Sequence, residues 1–241
     1  EIEVRGKRIV FSGDLGRYDD PVMHAPEPVT AADYVVIEST YGNRDHDRSD
    51  PVAALGDIIE RTLRRGGTVV IPAFAVGRAQ SLIHALWQLR QRGGLRNIPV
   101  YLDSPMATNA TALLYAYHDE HKLGSDEFQA AFAAVTYVQD VEESKALSAN
   151  PFPKVIISAS GMATGGRVLH HIAAFAGSHQ NTLLFSGFQA AGTRGRKLLE
   201  GSREVKIHGR WLPVNAEVAE LPMLSAHADR GELLRWLSGF S

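Results

Sequence analysis

Residues 154–175 read KVIISASGMATGGRVLHHIAAF. Lys154 to Ile157 form a short β-branched run, SASGMATGG is a loop of small residues, and RVLHHIAAF spaces its apolar residues like a helix. Strand, tight loop and helix in that order form the repeating unit of a parallel sheet with crossover helices. Such strands are covered on both faces and so need not alternate apolar with polar. The unit recurs outward from this stretch. Arg8 to Ser12 runs into Gly13-Asp14-Leu15-Gly16, and Tyr34 to Ile37 runs into Glu38-Ser39-Thr40-Tyr41-Gly42. Thr68 to Ile71 leads through Pro72 to a helical GRAQSLIHALWQLRQR, and Pro99 to Leu102 leads into Asp103-Ser104-Pro105-Met106. Asn181 to Phe185 leads into SGFQAAGTRGRKLLEG. Glu204 to Ile207 and Trp211 to Val214 flank His208-Gly209-Arg210 and read as a hairpin, and a last helix follows Ser225-Ala226-His227-Ala228-Asp229. The expected fold class is α/β, a mainly parallel sheet flanked by helices.

Ligands of such folds sit beyond the carboxyl ends of the strands, where helix starts leave N–H groups free to meet phosphate. Ser104, Ser160 and Gly161 lie on those loops, with Arg167 and Arg194 at the helix starts beside them. The 241 residues carry 25 Lys+Arg and 27 Asp+Glu, but unevenly: residues 152–210 hold eight basic and two acidic residues, and residues 60–96 seven Arg and one Glu. That segregation reads either as a positive face for a polyanion or as solvated helix surfaces, and charge alone does not choose. With no Cys, disulfides, Cys-ligated zinc, iron–sulfur clusters and thiol nucleophiles are excluded, so any metal must rest on His, Asp or Glu. No apolar run approaches the roughly 20 residues of a membrane helix and no secretory signal opens the chain, so a cytoplasmic protein with no membrane partner is expected.

P-loop, GxGxxG, HExxH and GxSxG signatures are absent. Of the ten histidines, His118 and His121 have ligand spacing without a second pair, while His170-His171 and His84 read as helix packing. Three residues stand apart. Asp14 and Glu38 end strands, and His227 sits in a tight small-residue turn. A carboxylate at a strand's rim is partly desolvated and needs a partner. Spacing leaves a functional role even with a turn or salt-bridge role.

The segments VFSGDLG, VVIESTYGNRDH, IPAFAVGRAQ, PVYLDSPMA, SASGMATGGRVLHH, FSGFQAAGTRGRKL and LSAHAD, in this order from about Arg8 to Gly239, closely resemble the β-CASP branch of the metallo-β-lactamase superfamily. Members of that branch include bacterial RNA-degrading metallo-hydrolases, ribonuclease J and the nuclease subunit of the cleavage and polyadenylation specificity factor. The resemblance implies a β-CASP domain over residues 47–200, with edge segments of a metallo-β-lactamase αββα domain at 1–46 and a return segment to it at 201–241. It maps Asp14 to an aspartate that bridges two zinc ions, and Glu38 with His227 to a pair beside the scissile phosphate. It makes Ser104, Ser160, Gly161, Arg167 and Arg194 candidates for holding RNA. The family's HxHxDH motif and motif C histidine have no counterpart in this chain, which starts at Glu1. The expectation is therefore the RNA-binding and specificity portion of a zinc-dependent ribonuclease, inactive alone and holding no zinc itself, with two zinc ions in the full-length enzyme. A homo-oligomer is compatible with it. Two rivals remain: a non-catalytic RNA-binding or scaffold member, and a small-molecule α/β enzyme binding a nucleotide through SASGMATGG.

Overall fold

A computed structural model describes residues 1–95 and 98–240. Arg96, the last arginine of the 60–96 stretch, lies outside them. In chain order the elements are β1 (Ile2–Val4), β2 (Lys7–Phe11), β3 (Tyr34–Val36), α1 (Pro51–Arg64), β4 (Val69–Pro72), α2 (Arg78–Gln91), β5 (Val100–Asp103) and α3 (Pro105–Ala116). There follow α4 (Ser125–Ala133), β6 (Thr136–Tyr137), α5 (Val141–Ala149), β7 (Val155–Ser158), α6 (Val168–Phe175), β8 (Thr182–Phe185) and α7 (Arg194–Leu199). The chain closes with β9 (Glu204–Ile207), β10 (Arg210–Pro213), β11 (Glu217–Glu220) and α8 (Arg230–Leu237). Among the described residues no helix is long and apolar enough to cross a membrane.

The expected parallel sheet is present. Six strands lie in the order β11-β8-β4-β7-β5-β6, and every pairing is parallel. All residues of β4, β7 and β8 are buried, which explains the unbroken apolar runs. Successive side chains point to opposite faces. Val69, Ile71, Val155, Ile157 and Leu184 therefore join one core with Leu55 and Ile59 of α1, Leu82 and Leu86 of α2, and Phe128 of α4. Val70, Ile156, Leu183 and Phe185 join the other with Ile172 and Phe175 of α6 and Leu198 of α7. Because the strands run the same way, the loops after Pro72, Asp103, Ser158 and Phe185 line up along one edge.

A second sheet, β1-β2-β3, pairs β2 with β3 in parallel. Its buried Val10 packs with Leu15, Ala228, Leu233 and Trp236, and the Trp236 indole N–H donates to the Glu27 carbonyl at 3.0 Å. The two ends of the chain thus share a core. Beyond residue 200, Val205 and Ile207 of the β9–β10 hairpin enter the second core, and β11 pairs with β8. Only from Pro222 onward does the chain turn to the small sheet.

One buried charge cluster sets the geometry of the sheet edge. Asp103, fully buried at the end of β5, accepts from Ser144 Oγ at 2.5 Å, His171 Nε2 at 2.6 Å and an Arg167 Nη1 at 2.7 Å. Ser148 Oγ lies 2.9 Å from His171 Nδ1, so both ring nitrogens are engaged. The histidine pair read as helix packing is in part a polar anchor for α5, α6 and β5. Lys154 is also buried, with Nζ donating to the Asn150 and Phe152 carbonyls at 2.5 and 2.8 Å, and burial pushes its pKa down to about 8. It therefore adds nothing to a positive surface.

Burial raises the Asp103 pKa, but hydrogen bonds from His171, Ser144 and Arg167 outweigh this and hold it below the ordinary carboxylate value of 3.8. Its folded pKa is the depressed one, so its contribution is complete above about pH 4 and lost as pH falls through the lower folded value. Asp103→Asn should cost about 3–5 kcal/mol in urea denaturation at pH 7, because it strands buried partners. The gap between variant and wild type should narrow steadily below about pH 4; a gap independent of pH would show that the carboxylate charge is not what stabilises.

Candidate functional site

Three strand or turn ends converge beside the small sheet. After β2, Ser12 N–H donates to Val36 O at 2.9 Å, while Ser12 Oγ accepts from Glu38 N–H at 3.1 Å and so locks the end of β3 to the end of β2. Gly13, at φ +58°, takes the left-handed turn that brings Leu15 back over Glu38. Leu15 N–H donates to Glu38 Oε1 at 2.5 Å, and Leu15 O accepts from Ala228 N–H at 2.8 Å. A single β-bridge joins Gly16 to His227. Glu38 therefore lies under a lid made by the residues that carry Asp14 and His227.

His227 Nδ1 lies 3.1 Å from Glu38 Oε2 and 3.3 Å from Oε1. Paired with a carboxylate, Nδ1 carries the proton and donates, which leaves Nε2 as the nitrogen available to a ligand or substrate. The side chains are 8% (Glu38) and 29% (His227) exposed, so the pair is held from behind and open in front. Ligand atoms of Asp14, Glu38 and His227 all lie within 4.8 Å of one another. Asp14 is exposed and its carboxylate has no hydrogen-bond partner among the described residues.

The turn carrying His227 is fixed from the other side. Asp229 caps α8, accepting from Glu232 N–H at 2.9 Å, while Glu232 Oε2 accepts from Asp229 N–H at 3.0 Å, a reciprocal capping box. Asp229 Oδ2 also accepts from His46 N–H, and His46 Nε2 donates to the His227 carbonyl at 2.9 Å. His46 packs edge-on against buried Tyr41, whose ring is 6.4 Å from His227 and 6.0 Å from Phe188. The sequence alone singles out neither His46 nor Tyr41 nor Ser12. The D-x-x-E spacing of Asp229 and Glu232 was the available signal for the capping box, whereas nothing local announces the His46 contact across 181 positions.

The loops expected to hold RNA lie at the edge of the large sheet, joined to this trio through Phe188 and Gln189. Gln189 Nε2 donates to Gly161 O at 3.0 Å. A Cβ on Gly161 would stand 2.9 Å from the Phe74 nitrogen, so only glycine fits there. Ser160 Oγ is 3.0 Å from Thr164 Oγ1 within the loop. Ser104 is buried and caps α3, its Oγ accepting from Ala107 N–H at 3.2 Å. Arg167 spends its guanidinium on Asp103, Val138 O and Gln139 O. Arg194 donates to Lys206 O at 2.7 Å and to Ala163 O and Thr164 O. Arg194 thus braces the glycine loop, while Arg167 ties the start of α6 to the ends of β5 and β6. A +6 balance along a segment does not reveal that internal carbonyls already occupy the donors. His121 is likewise committed, lying 3.1 Å from Leu114 O and accepting from Leu123 N–H at 3.1 Å, whereas His118 is exposed beside Asp119.

A cleft of about 640 Å³ opens beyond the His46–Asp229 contact, lined by Arg17, Asp45, Asp50, Arg92 and Ser225 among others, while Asp14 borders a shallower hollow of about 320 Å³. The converging donor groups and the larger volume thus lie in neighbouring places. As a metal site the trio is partial. Glu38's oxygens already accept from Leu15 and His227, so Asp14 is the one uncommitted carboxylate. A zinc ion asks for about three protein ligands. The donor set fits one ligand to a cation with a His–carboxylate pair beside it.

The chain is also similar to known proteins. Residues 79–198 match the Beta-Casp domain, and residues 211–241 match the Zn-dependent metallo-hydrolase RNA specificity domain. The chain is 38% identical over 244 aligned positions to a ribonuclease of Thermus thermophilus, which covers 97% of this chain and 56% of that protein. It is 34% identical to the transcription termination factor FttA of Methanosarcina mazei over 95% of this chain and 38% of the relative. It is 31% identical to an RNase J-like protein of Methanocaldococcus jannaschii over 98% and 56%. The chain thus spans about half the length, or less, of the curated relatives it matches. Replacing Arg167 and Arg194 together by methionine should lower the melting temperature by several degrees and leave the salt dependence of RNA binding unchanged. A flatter salt slope in a double variant of unaltered stability would return both arginines to the RNA surface.

Proposed function

The chain belongs to the β-CASP branch of the metallo-β-lactamase superfamily, a family of RNA-processing nucleases, and on that premise we propose that it supplies the RNA-holding and proton-handling side of a zinc-dependent ribonuclease acting in the cytoplasm. The observation that carries the reading is the Glu38–His227 pair at 3.1 Å, open to solvent on the Nε2 side and within 4.8 Å of the uncommitted Asp14.

Each residue then has a role. Asp14 would give one carboxylate to the metal centre, and zinc bound there would supply an activated water and neutralise charge on the scissile phosphate. Glu38 holds the His227 ring in one orientation through Nδ1. His227 Nε2 is the group placed to give a proton to the leaving oxygen. Tyr41 and His46 keep the ring and its backbone in register. The edge loops around Ser160 and Gly161 offer backbone N–H groups to the RNA chain, contacts that position it without reading its sequence. Ser104, Arg167 and Arg194 support these loops from beneath. The family match and the Thermus thermophilus ribonuclease favour RNA over a mononucleotide as ligand. A non-catalytic RNA-binding role is the second reading, favoured by the single uncommitted carboxylate in the donor set.

In a zinc-loaded, RNA-cleaving form, His227→Ala should lower the cleavage rate about 10²–10⁴-fold with metal content unchanged. Single-turnover kinetics with metal analysis on the same samples would check this. Metal lost with the ring would make His227 a ligand. Unchanged cleavage would remove it from the chemistry, and no cleavage in any metal-loaded form would favour the non-catalytic reading.

A further inference from the structure

Arg78 is a buried charged residue that the site described above leaves unused. It opens α2, at the end of the loop that follows β4, and is 8% exposed. Its Nε is buried without a partner, and its guanidinium forms no hydrogen bond or ion pair among the described residues. The carboxylate that acts on it most strongly, Asp20, is committed to its own turn, accepting from the Val22 and Met23 N–H groups at 2.8 Å. Tyr41 and Arg17 are its other charged or titratable neighbours, and Arg17 repels it. A buried guanidinium stays protonated at neutral pH and costs several kcal/mol when nothing compensates it. Burial does lower its pKa, but only to about 10.

The surroundings show where compensation can arrive. Gly187 passes directly over the group: a Cβ there would lie 3.7 Å from Nε and 3.9 Å from Nη2. The missing side chain leaves the guanidinium roofed only by a half-buried stretch of backbone. The adjoining Ser186 carries a buried hydroxyl without a partner among the described residues. Next in the chain, Phe188 is partly exposed and meets Tyr41 edge-on, and Tyr41 in turn meets His227. Arg78 thus lies behind the aromatic wall that leads from the reactive pair to the edge loops.

We propose that Arg78, with the Ser186–Gly187 turn, is a binding subsite for a phosphate oxyanion, occupied by a backbone phosphate of the RNA next to the scissile one. The proposal rests on the ribonuclease reading for the source of that phosphate; the oxyanion chemistry rests on the unpaired guanidinium alone. A planar fork of donors suits two phosphate oxygens at once. Keeping the fork unpaired in the free protein sacrifices stability for binding, a trade found at functional sites.

Two variants test it, Arg78→Met and Gly187→Ala. The second adds a methyl at ordinary contact distance over the guanidinium and leaves the charge in place. Thermal unfolding is measured with and without inorganic phosphate, and binding of an eight-nucleotide oligouridylate is measured across a range of salt. For the wild type, phosphate should raise the melting temperature, and in both variants that rise should vanish. Arg78→Met without phosphate should melt at or above the wild-type temperature, since it removes an uncompensated charge. The slope of log affinity against log salt for the oligouridylate should shrink by about 0.7 in each variant. Should Arg78→Met fail to fold, Gly187→Ala decides by the same readouts. Phosphate stabilisation and slope unchanged in the folded variants would overturn the proposal while leaving the ribonuclease reading intact. Phosphate stabilisation lost in the variants, with no oligouridylate binding by the wild type, would uphold the oxyanion site and remove RNA as its source. A wild type that responds to neither ligand overturns both.

Discussion

The Glu38 carboxylate is where the structure closes. One oxygen takes the Leu15 N–H, and the pair takes the His227 ring, so residues 15, 38 and 227 are held by a single acidic group. Around that contact the beginning and end of the chain form one small core of Val10, Leu15, Leu233 and Trp236. Together with the Leu15–Ala228 hydrogen bond and the Gly16–His227 bridge, the contact fixes where Asp14 stands relative to His227. The polar contact specifies the geometry, and the apolar cluster beneath it supplies the burial.

The large sheet was legible because its physics is local. Strands buried on both faces must be apolar throughout, and TVVI, KVII and NTLLF declare it. The carboxyl-end loops followed from the same reasoning, and Asp14, Glu38 and His227 stood out on motif resemblance. What could not be read was partnership at a distance. The Asp103–His171–Arg167 cluster joins positions 64 and 68 apart, and no periodicity marks it. Arg167, Arg194 and Lys154 entered the charge balance as though solvated, yet all three end on internal acceptors. A count of charges sees valence but not the carbonyl that a donor has already found. The hairpin that follows residue 200 is polar on one face, and only the packing of Val205 and Ile207 shows which body its other face serves.

Two cations mark opposite solutions to the same electrostatic problem. Arg167, partly buried, is compensated by Asp103 and two carbonyls. Arg78 is buried more deeply and forms no hydrogen bond or ion pair among the described residues. The first kind of arginine is part of the scaffold. The second is a cost that the free protein carries, and such costs gather where a ligand completes the structure. Their closeness along one sheet edge separates rigid support from an open place within a few turns of chain.

The span of 189 positions between Glu38 and His227 also orders events in time. A ribosome adding about 5–20 residues per second needs roughly ten to forty seconds to travel between them. Throughout that interval the six-stranded sheet can be assembled in sequence, since β4 to β8 and their helices need nothing from the last turn. The Glu38–His227 pair cannot exist until the segment around His227 has left the exit tunnel and docked. A nascent chain therefore carries a folded six-stranded body before it carries a paired histidine.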